Sequence, residues 1–266
     1  IKTDGSLWGW GSSEMGMGVK FKQLPATAPP SSYAIPPTRI LPPTVLQVAV
    51  ACHTLALVKN PQPSQTDRAD ADILMAWGDN SCGQVNDTSQ ELELMLPEVL
   101  RIEALEGKRL RKIAAAGHYS LALTEEGDVW KWGTFGSMPC GGMSQEEADE
   151  LLPRKIESVS DIVDISGTSR TIGMLQKNGT LWGLGTAQVW ESDWNIGDKL
   201  TKVMSDVRDF AFGEDYLLVI KKDGTLWGLG SNKYGQLGDT TPGWHAEPVR
   251  IVIPPLEKAD TSGFVR

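Results

Sequence analysis

Histidine and cysteine are both scarce in this chain, and each shortage removes a class of chemistry. Of its 266 residues only His53, His118 and His245 are histidines, and no two of them stand at metal-ligand spacing. The cysteines are Cys52, Cys82 and Cys140; none lies in a Cys-x-x-Cys pair, and an odd count supports neither a disulfide framework nor a zinc pattern. Cys52 is expected in an apolar strand as a small buried hydrophobe. Long apolar runs are absent too. The longest stretch, residues 45–58, is interrupted by Gln47, His53 and Thr54, short of the roughly 18 apolar residues of a membrane helix. No secretory leader is visible, the chain opens on Ile1, and the compartment is left undetermined. Basic residues are in deficit, with 25 Lys and Arg against 34 Asp and Glu and a net charge of −9. That balance argues against charge-driven binding to nucleic acid or to an anionic membrane and permits a basic protein partner.

Catalytic and cofactor motifs are missing as well. There is no Gly-x-Ser-x-Gly elbow and no phosphate loop. Pairs such as Gly9/Gly11, Gly183/Gly185 and Gly228/Gly230 lack the third glycine and the helix of a dinucleotide site. Asp67, Asp70 and Asp72 lack the glycine and distal glutamate of a calcium loop. The expectation is no catalytic residue, no cofactor and no metal.

Tryptophan and glycine are plentiful, with 10 Trp and 28 Gly, and they recur in register. Five strands close on a glycine: Leu7-Trp8-Gly9-Trp10-Gly11, Leu74-Met75-Ala76-Trp77-Gly78, Val129-Trp130-Lys131-Trp132-Gly133, Leu181-Trp182-Gly183-Leu184-Gly185 and Leu226-Trp227-Gly228-Leu229-Gly230. Gly11, Gly78, Gly133, Gly185 and Gly230 thus mark a repeat, with Trp8, Trp77, Trp132, Trp182 and Trp227 as its structural aromatics. Six residues earlier stands a turn glycine, Gly5, Gly127, Gly179 or Gly224, preceded in three copies by Asp or Asn. Asp-Gly and Asn-Gly favour the two-residue hairpin turn. Upstream lie apolar strands ending at Leu57, Leu123, Leu175 and Ile220, and before those another strand. A further edge-like strand follows Pro97, Pro153 and Pro248. Three or four strands per unit of about 50 residues describe a propeller blade.

The expected fold is all-β, a β-propeller of about five units of four-stranded antiparallel sheet within a larger ring. Counting by terminal glycine divides a single 1–266 domain into 1–11 (the last strand of a blade), 12–78, 79–133, 134–185, 186–230 and an incomplete 231–266. A short helix is expected over residues 144–152, capped by Ser144 with Glu147 three residues on. Trp8, Trp10, Trp77, Trp130, Trp132, Trp182 and Trp227 are expected in blade packing. Trp190, Trp194 and Trp244 fall outside the repeated strand in loops, and with Tyr33 they are the candidate partner-binding aromatics. Residues 23–43, 60–72 and 186–197 are irregular and are expected on one rim.

Ser231-Asn232-Lys233-Tyr234-Gly235-Gln236-Leu237-Gly238-Asp239 after the last Trp strand resembles the signature of the regulator of chromosome condensation family. Ala115-Ala116-Gly117-His118-Tyr119-Ser120-Leu121-Ala122-Leu123 and Trp77-Gly78-Asp79-Asn80-Ser81-Cys82-Gly83-Gln84 echo it, and the Leu-Trp-Gly style is similar to bacterial members. The position before the Ser-Leu-Ala-Leu strand holds His53, Tyr119, Arg170 and Tyr216 in turn. The resemblance implies a propeller, commonly of seven blades, that binds other proteins; the founding type is a nucleotide exchange factor for a small nuclear GTPase. The functional expectation is a non-enzymatic protein-interaction scaffold, with an exchange factor or a carbohydrate-binding propeller as alternatives.

Overall fold

The computed structural model describes residues 1–12, 34–60, 72–85, 95–134, 151–169, 171–185, 200–238 and 241–252. Two compact units emerge: Ile1–Ala187 with Asn195–Ser205, and Gln188–Trp194 with Asp206–Arg266. In the first unit, β1 (Leu7–Ser12) pairs with β2 (Ala34–Leu41). Three four-stranded antiparallel sheets follow. One holds β3 (Val45–Val50), β4 (His53–Val58), β5 (Ile73–Asp79) and β6 (Met95–Arg101). The next holds β7 (Leu110–Ala116), β8 (Tyr119–Thr124), β9 (Val129–Gly133) and β10 (Arg154–Lys155). The third holds β11 (Ile162–Gly167), β12 (Thr171–Gln176), β13 (Leu181–Gly185) and β14 (Thr201–Met204). The second unit holds one such sheet: β15 (Val207–Phe212), β16 (Tyr216–Lys221), β17 (Leu226–Ser231) and β18 (Trp244–Ile251).

The Trp strand is the third strand of each complete sheet, and the fourth follows the repeat's terminal glycine. The sheets are therefore out of phase with units counted by that glycine. Strand β1, which matches the third strand of the complete sheets in sequence, pairs with β2 beyond its terminal glycine and so is not the last strand of its sheet, and β18 is the fourth strand of the sheet that β15 opens. Residues 144–150 of the expected helix lie outside the described residues, and Leu151 and Leu152 are in a turn.

Local chemistry sets these strands. In the Asp4-Gly5 and Asp223-Gly224 turns the glycines take φ of 81° and 84°, conformations that a side chain disfavours. Each aspartate caps its turn: Asp4 Oδ1 accepts from Ser6 N–H at 2.9 Å and from its hydroxyl at 2.6 Å, and Asp223 does the same with Thr225 at 2.9 and 2.6 Å. The hydroxyls then accept from Trp8 Nε1 and Trp227 Nε1, each at 2.8 Å. These hydrogen bonds hold both aspartates below the usual carboxylate range.

Consecutive sheets of the first unit bury a core between them. Leu55, Leu57, Leu74 and Ala76 meet Leu110, Ile113, Ala122 and Trp132. Tyr119, Leu121, Leu123 and Val129 meet Ile162, Ile165, Ile172, Met174 and Leu184 in the same manner. Trp77 and Trp132 are each 1% exposed, whereas Trp8, Trp130, Trp182 and Trp227 are half-buried. Trp10 departs from the expected packing role at 67% exposed. It shares its strand position with Trp77 and Trp132, but no sheet covers its face among the described residues.

One regularity escapes the linear repeat. The cross-strand partner of each outer aromatic, or of Met75, is a cation on the fourth strand: Trp8 with Arg39, Met75 with Arg101, Trp130 with Lys155, Trp182 with Lys202 and Trp227 with Arg250. Lysines from the turn side also stack on Trp8, Trp130 and Trp227, with Lys2, Lys108 and Lys221 Nζ 3.7, 4.6 and 4.9 Å from the ring centroids.

The terminal glycines answer to two constraints. Gly133 has φ 84°, and a Cβ there would lie 2.5 Å from His118 O and 3.0 Å from Tyr119 Cα and Gln84 Cα. The crowding comes first from the strand's own hairpin partner and only then from the neighbouring sheet. Gly133→Ala is expected to cost about 2–4 kcal/mol in urea denaturation. Gly224→Ala, with similar φ but open space around it, is expected to cost about 1 kcal/mol.

Candidate functional site

The motif segments carry a shared loop. Asn80 Oδ1 accepts from Val85 N–H at 3.0 Å and Gln84 Oε1 from Cys82 N–H at 2.9 Å. Asn232 Oδ1 likewise accepts from Leu237 N–H and Gln236 Oε1 from Tyr234 N–H, both at 2.9 Å. Gly83 and Gly235 sit at φ of 72° and 76° between these clasps, and Val85 and Leu237 are fully buried plugs. The Asn-x-x-Gly-Gln pattern is therefore a clasped turn after the third strand.

The first of these loops ties two sheets together through a buried polar chain. His53, opening β4, lies with Nε2 2.6 Å from Ser120 Oγ on β8, and that hydroxyl donates to Gln84 O at 2.8 Å. His53 is 1% exposed and Ser120 0%. A serine and a histidine at this distance raise the question of an activated nucleophile. The proton count answers it. The single hydroxyl proton goes to Gln84 O, so Nε2 must carry a proton and donate to Ser120. The ring's bare nitrogen is then Nδ1, buried without a hydrogen-bond partner. This tautomer cannot take a proton from Ser120, and the chain of bonds is structural. Burial holds the His53 pKa down from 6.5 to about 4, opposed by nearby Asp79 and reinforced by His118.

In the following sheet, Tyr119 takes the place of His53. Its hydroxyl lies 2.7 Å from Thr168 O and 2.8 Å from Thr171 O, and its one proton is shared between them. Strand register places His53, Tyr119, Thr171 and Tyr216 opposite Gly78, Gly133, Gly185 and Gly230. The third member of this series is thus Thr171 and not Arg170, which lies outside the described residues. His118 is an exposed residue of the turn before β8.

The cysteines differ from expectation. Cys52 is in the turn between β3 and β4, half-buried and a free thiol. Cys82 is disulfide-bonded. No group of three His, Cys, Asp or Glu side chains that could hold a metal ion occurs among the described residues.

Of the candidate partner-binding aromatics, Tyr33, Trp190 and Trp194 lie outside the described residues. Trp244 is not in a loop: it opens β18 opposite Ser231 and is half-buried with its indole nitrogen enclosed. Topology still relates the four. Residues 13–33, 80–94, 134–153, 186–200 and 232–243 all connect a third strand to a fourth. Tyr33, Trp190 and Trp194 fall in such connectors, and Trp244 directly follows one. Residues 60–72 connect a second strand to a third, at the opposite end of their sheet, and so do not share that rim.

Successive four-stranded antiparallel sheets joined third strand to fourth by long connectors, with apolar faces buried between neighbours, define a β-propeller. No family model matches the chain. The mitochondrial RCC1 domain-containing protein RUG3 of Arabidopsis thaliana is 30% identical over 207 residues, 74% of this chain and 41% of that protein. Protein RCC1 of Candida albicans is 40% identical over 70 residues, 25% of this chain and 15% of that one. The structure of Prp20p from Saccharomyces cerevisiae superposes with a TM-score of 0.69 at 22% identity, covering 94% of this chain and 59% of that one. The chain belongs to the RCC1-like family. It spans less than half the length of the curated relatives it matches.

Two outcomes are expected from the polar chain. Because the folded pKa of His53 lies below its unfolded value, the unfolded state binds the extra proton. Stability is then full above pH 6.5 and falls as the pH drops toward 4, by about 2–3 kcal/mol at pH 4.5. Urea midpoints at pH 7 and 4.5 should differ less in His53→Gln than in the parent. Tyr119→Phe should cost about 1–2 kcal/mol by the same measurement, since the buried Thr171 carbonyl and the part-buried Thr168 carbonyl lose their shared donor.

Proposed function

We propose that this chain is a non-enzymatic protein-interaction scaffold whose partner surface is built from the third-to-fourth-strand connectors. The observation that supports the reading is the strand order, by which Tyr33, Trp190 and Trp194 fall in connectors of this kind and Trp244 directly follows one, each at that end of its own sheet. Aromatic side chains are favoured anchors of protein interfaces, and the buried polar groups nearest to this end are committed to holding sheets together. Residues 60–72 are left out of the surface. The enclosed indole nitrogen of Trp244 withdraws one of the three rings on which carbohydrate stacking would depend.

Relatives support a protein partner. Yeast RCC1 (Prp20) has been solved with Kap60, and Prp20p is described with binding to Gsp1p and histones. A net charge of −9 suits a basic partner. The test uses purified histones as the probe in biolayer interferometry. Saturable binding that weakens with salt is expected, reduced by about tenfold in a Trp190→Ala/Trp194→Ala variant whose melting temperature is unchanged. Absence of saturable binding, or equal binding by the variant, overturns this choice of surface and partner. Stimulated nucleotide release from Gsp1p would instead favour the exchange-factor alternative.

A further inference from the structure

The turns that lead into the Trp strands come in two chemical forms. Before β1 and β17 a cation and an acid stand two residues apart, Lys2 with Asp4 and Lys221 with Asp223. Each lysine lies over the ring of Trp8 or Trp227. Each aspartate accepts from the Ser6 or Thr225 hydroxyl, and that hydroxyl accepts from the indole. In the turn between β12 and β13 the same two positions hold Gln176 and Asn178, a neutral copy of the pair. There Trp182 Nε1 donates to Gln176 Oε1 at 3.1 Å.

Hydrogen bonding fixes both amides. Gln176 Nε2 donates to Ser160 O at 3.1 Å, so the atom that faces Trp182 is the oxygen, and it also accepts from Asn178 Nδ2 at 3.2 Å. Asn178 Oδ1 accepts from Thr180 N–H at 2.8 Å. The atom of Asn178 that faces Gln176 must therefore be a donor; a carboxylate there would set oxygen against oxygen. Asn178 is exposed, and Gly179 follows it at φ 93°. Without a Cβ at Gly179, its backbone nitrogen has free approach to the Asn178 carboxamide. The closed turn withholds that nitrogen, because Gly179 N–H donates to Gln176 O at 2.8 Å. Local opening of a turn at the end of a sheet releases it.

We propose that Asn178 is a site of hydrolytic modification, converted to aspartate with loss of ammonia, and that the turn then takes the form of its Asp4 and Asp223 counterparts, with the Trp182 indole passed from Gln176 to the Thr180 hydroxyl. In the opened turn the Gly179 nitrogen gives its proton to solvent base and attacks Asn178 Cγ. The bond from Cγ to the amide nitrogen breaks, ammonia leaves and a cyclic imide remains. Water opens the imide: addition at Cγ leaves aspartate, and addition at the backbone carbonyl leaves isoaspartate. One water is consumed and one ammonia released, with no change of oxidation state. Lys202 supplies a cation for the new carboxylate, being the cross-strand partner of Trp182 as Arg39 is of Trp8 and Arg250 of Trp227. This turn joins a second strand to a third, at the far end of its sheet from the connectors, so the inference is independent of the partner surface.

The test incubates the whole chain in mildly alkaline buffer and follows residue 178 by peptide mapping with mass spectrometry, beside a synthetic peptide of residues 171–185. Conversion to aspartate and isoaspartate is expected at Asn178, about tenfold slower in the folded chain than in the peptide because the turn must open first. The second half is read from the Trp182 indole N–H resonance, assigned with Trp182→Phe. Asn178→Asp should shift it without lowering the melting temperature. Adding Thr180→Val should remove that shift, whereas Thr180→Val alone should leave the resonance where the parent has it. An Asn178 that stays intact in the folded chain while the peptide is consumed overturns the modification site. A Trp182 resonance that Asn178→Asp does not move, or moves equally with Thr180→Val present, overturns the exchange of partners.

Discussion

A sheet with apolar side chains on both faces must be covered on both, and most of this structure follows from that requirement. Leu55, Leu57, Leu121 and Leu123 are at most 1% exposed, and burying each contributes about 2 kcal/mol. None of that gain is available to a sheet by itself. It arises only when the next sheet presents Ile113 and Trp132, or Ile165 and Met174, to complete the layer. Stability in such an array resides in the contacts between neighbours as much as within any unit. The glycines at the ends of the Trp strands serve the same end, since they let backbone approach backbone where a side chain would hold the strands apart.

Polar groups are held to the same geometry. Gln47 Oε1 accepts from Ile113 N–H while its amide donates to Arg111 O at 2.6 Å, and Lys112 Nζ meets Asp164 Oδ1 at 2.5 Å. Together with the His53–Ser120 and Tyr119–Thr171 links, these bonds fix the register between sheets that apolar contact alone leaves loose. The same hydrogen bonding leaves the His53–Ser120 pair without the proton arrangement of a base and its nucleophile. The proton that catalysis would need is already committed to a carbonyl.

Much of the fold was legible in the sequence because its signals are local. Asp223-Gly224 declares a turn through the φ that only glycine adopts cheaply, and period-two alternation with a closing glycine declares the Trp strand. The Asn232–Leu237 motif was legible too, because its clasp closes within six residues. What was not legible depends on pairing across distance. Counting by terminal glycine cut the sheets at the wrong strand, since nothing in Leu7–Gly11 says that β2 will lie beyond it. Arg170 was matched in place of Thr171 because a one-residue slip in a loop leaves no trace in composition. Trp10 stands before the closing glycine as Trp132 does, and only a covering sheet among the described residues separates the buried ring from the exposed one. The connectors with the candidate aromatics were visible as irregular segments, but their common end, and the exclusion of residues 60–72 from it, required the strand order.

The first strand of every complete sheet is bulged at one position, between Val45 and Gln47, Leu110 and Lys112, Ile162 and Asp164, and Val207 and Asp209. The residue leaving the bulge is Gln47, Lys112, Asp164 and Asp209 in turn: a neutral amide, a cation, then two anions. Gln47 is matched to Ile113 N–H and Arg111 O, and Lys112 to Asp164, each in the next sheet. The repeats are therefore alike in backbone but not interchangeable. Placing the sheet of Lys112 beside a duplicate of itself would set cation against cation where Asp164 now stands. The order of the copies is itself encoded, so the array behaves less like a string of modules than like a sentence whose words cannot be permuted.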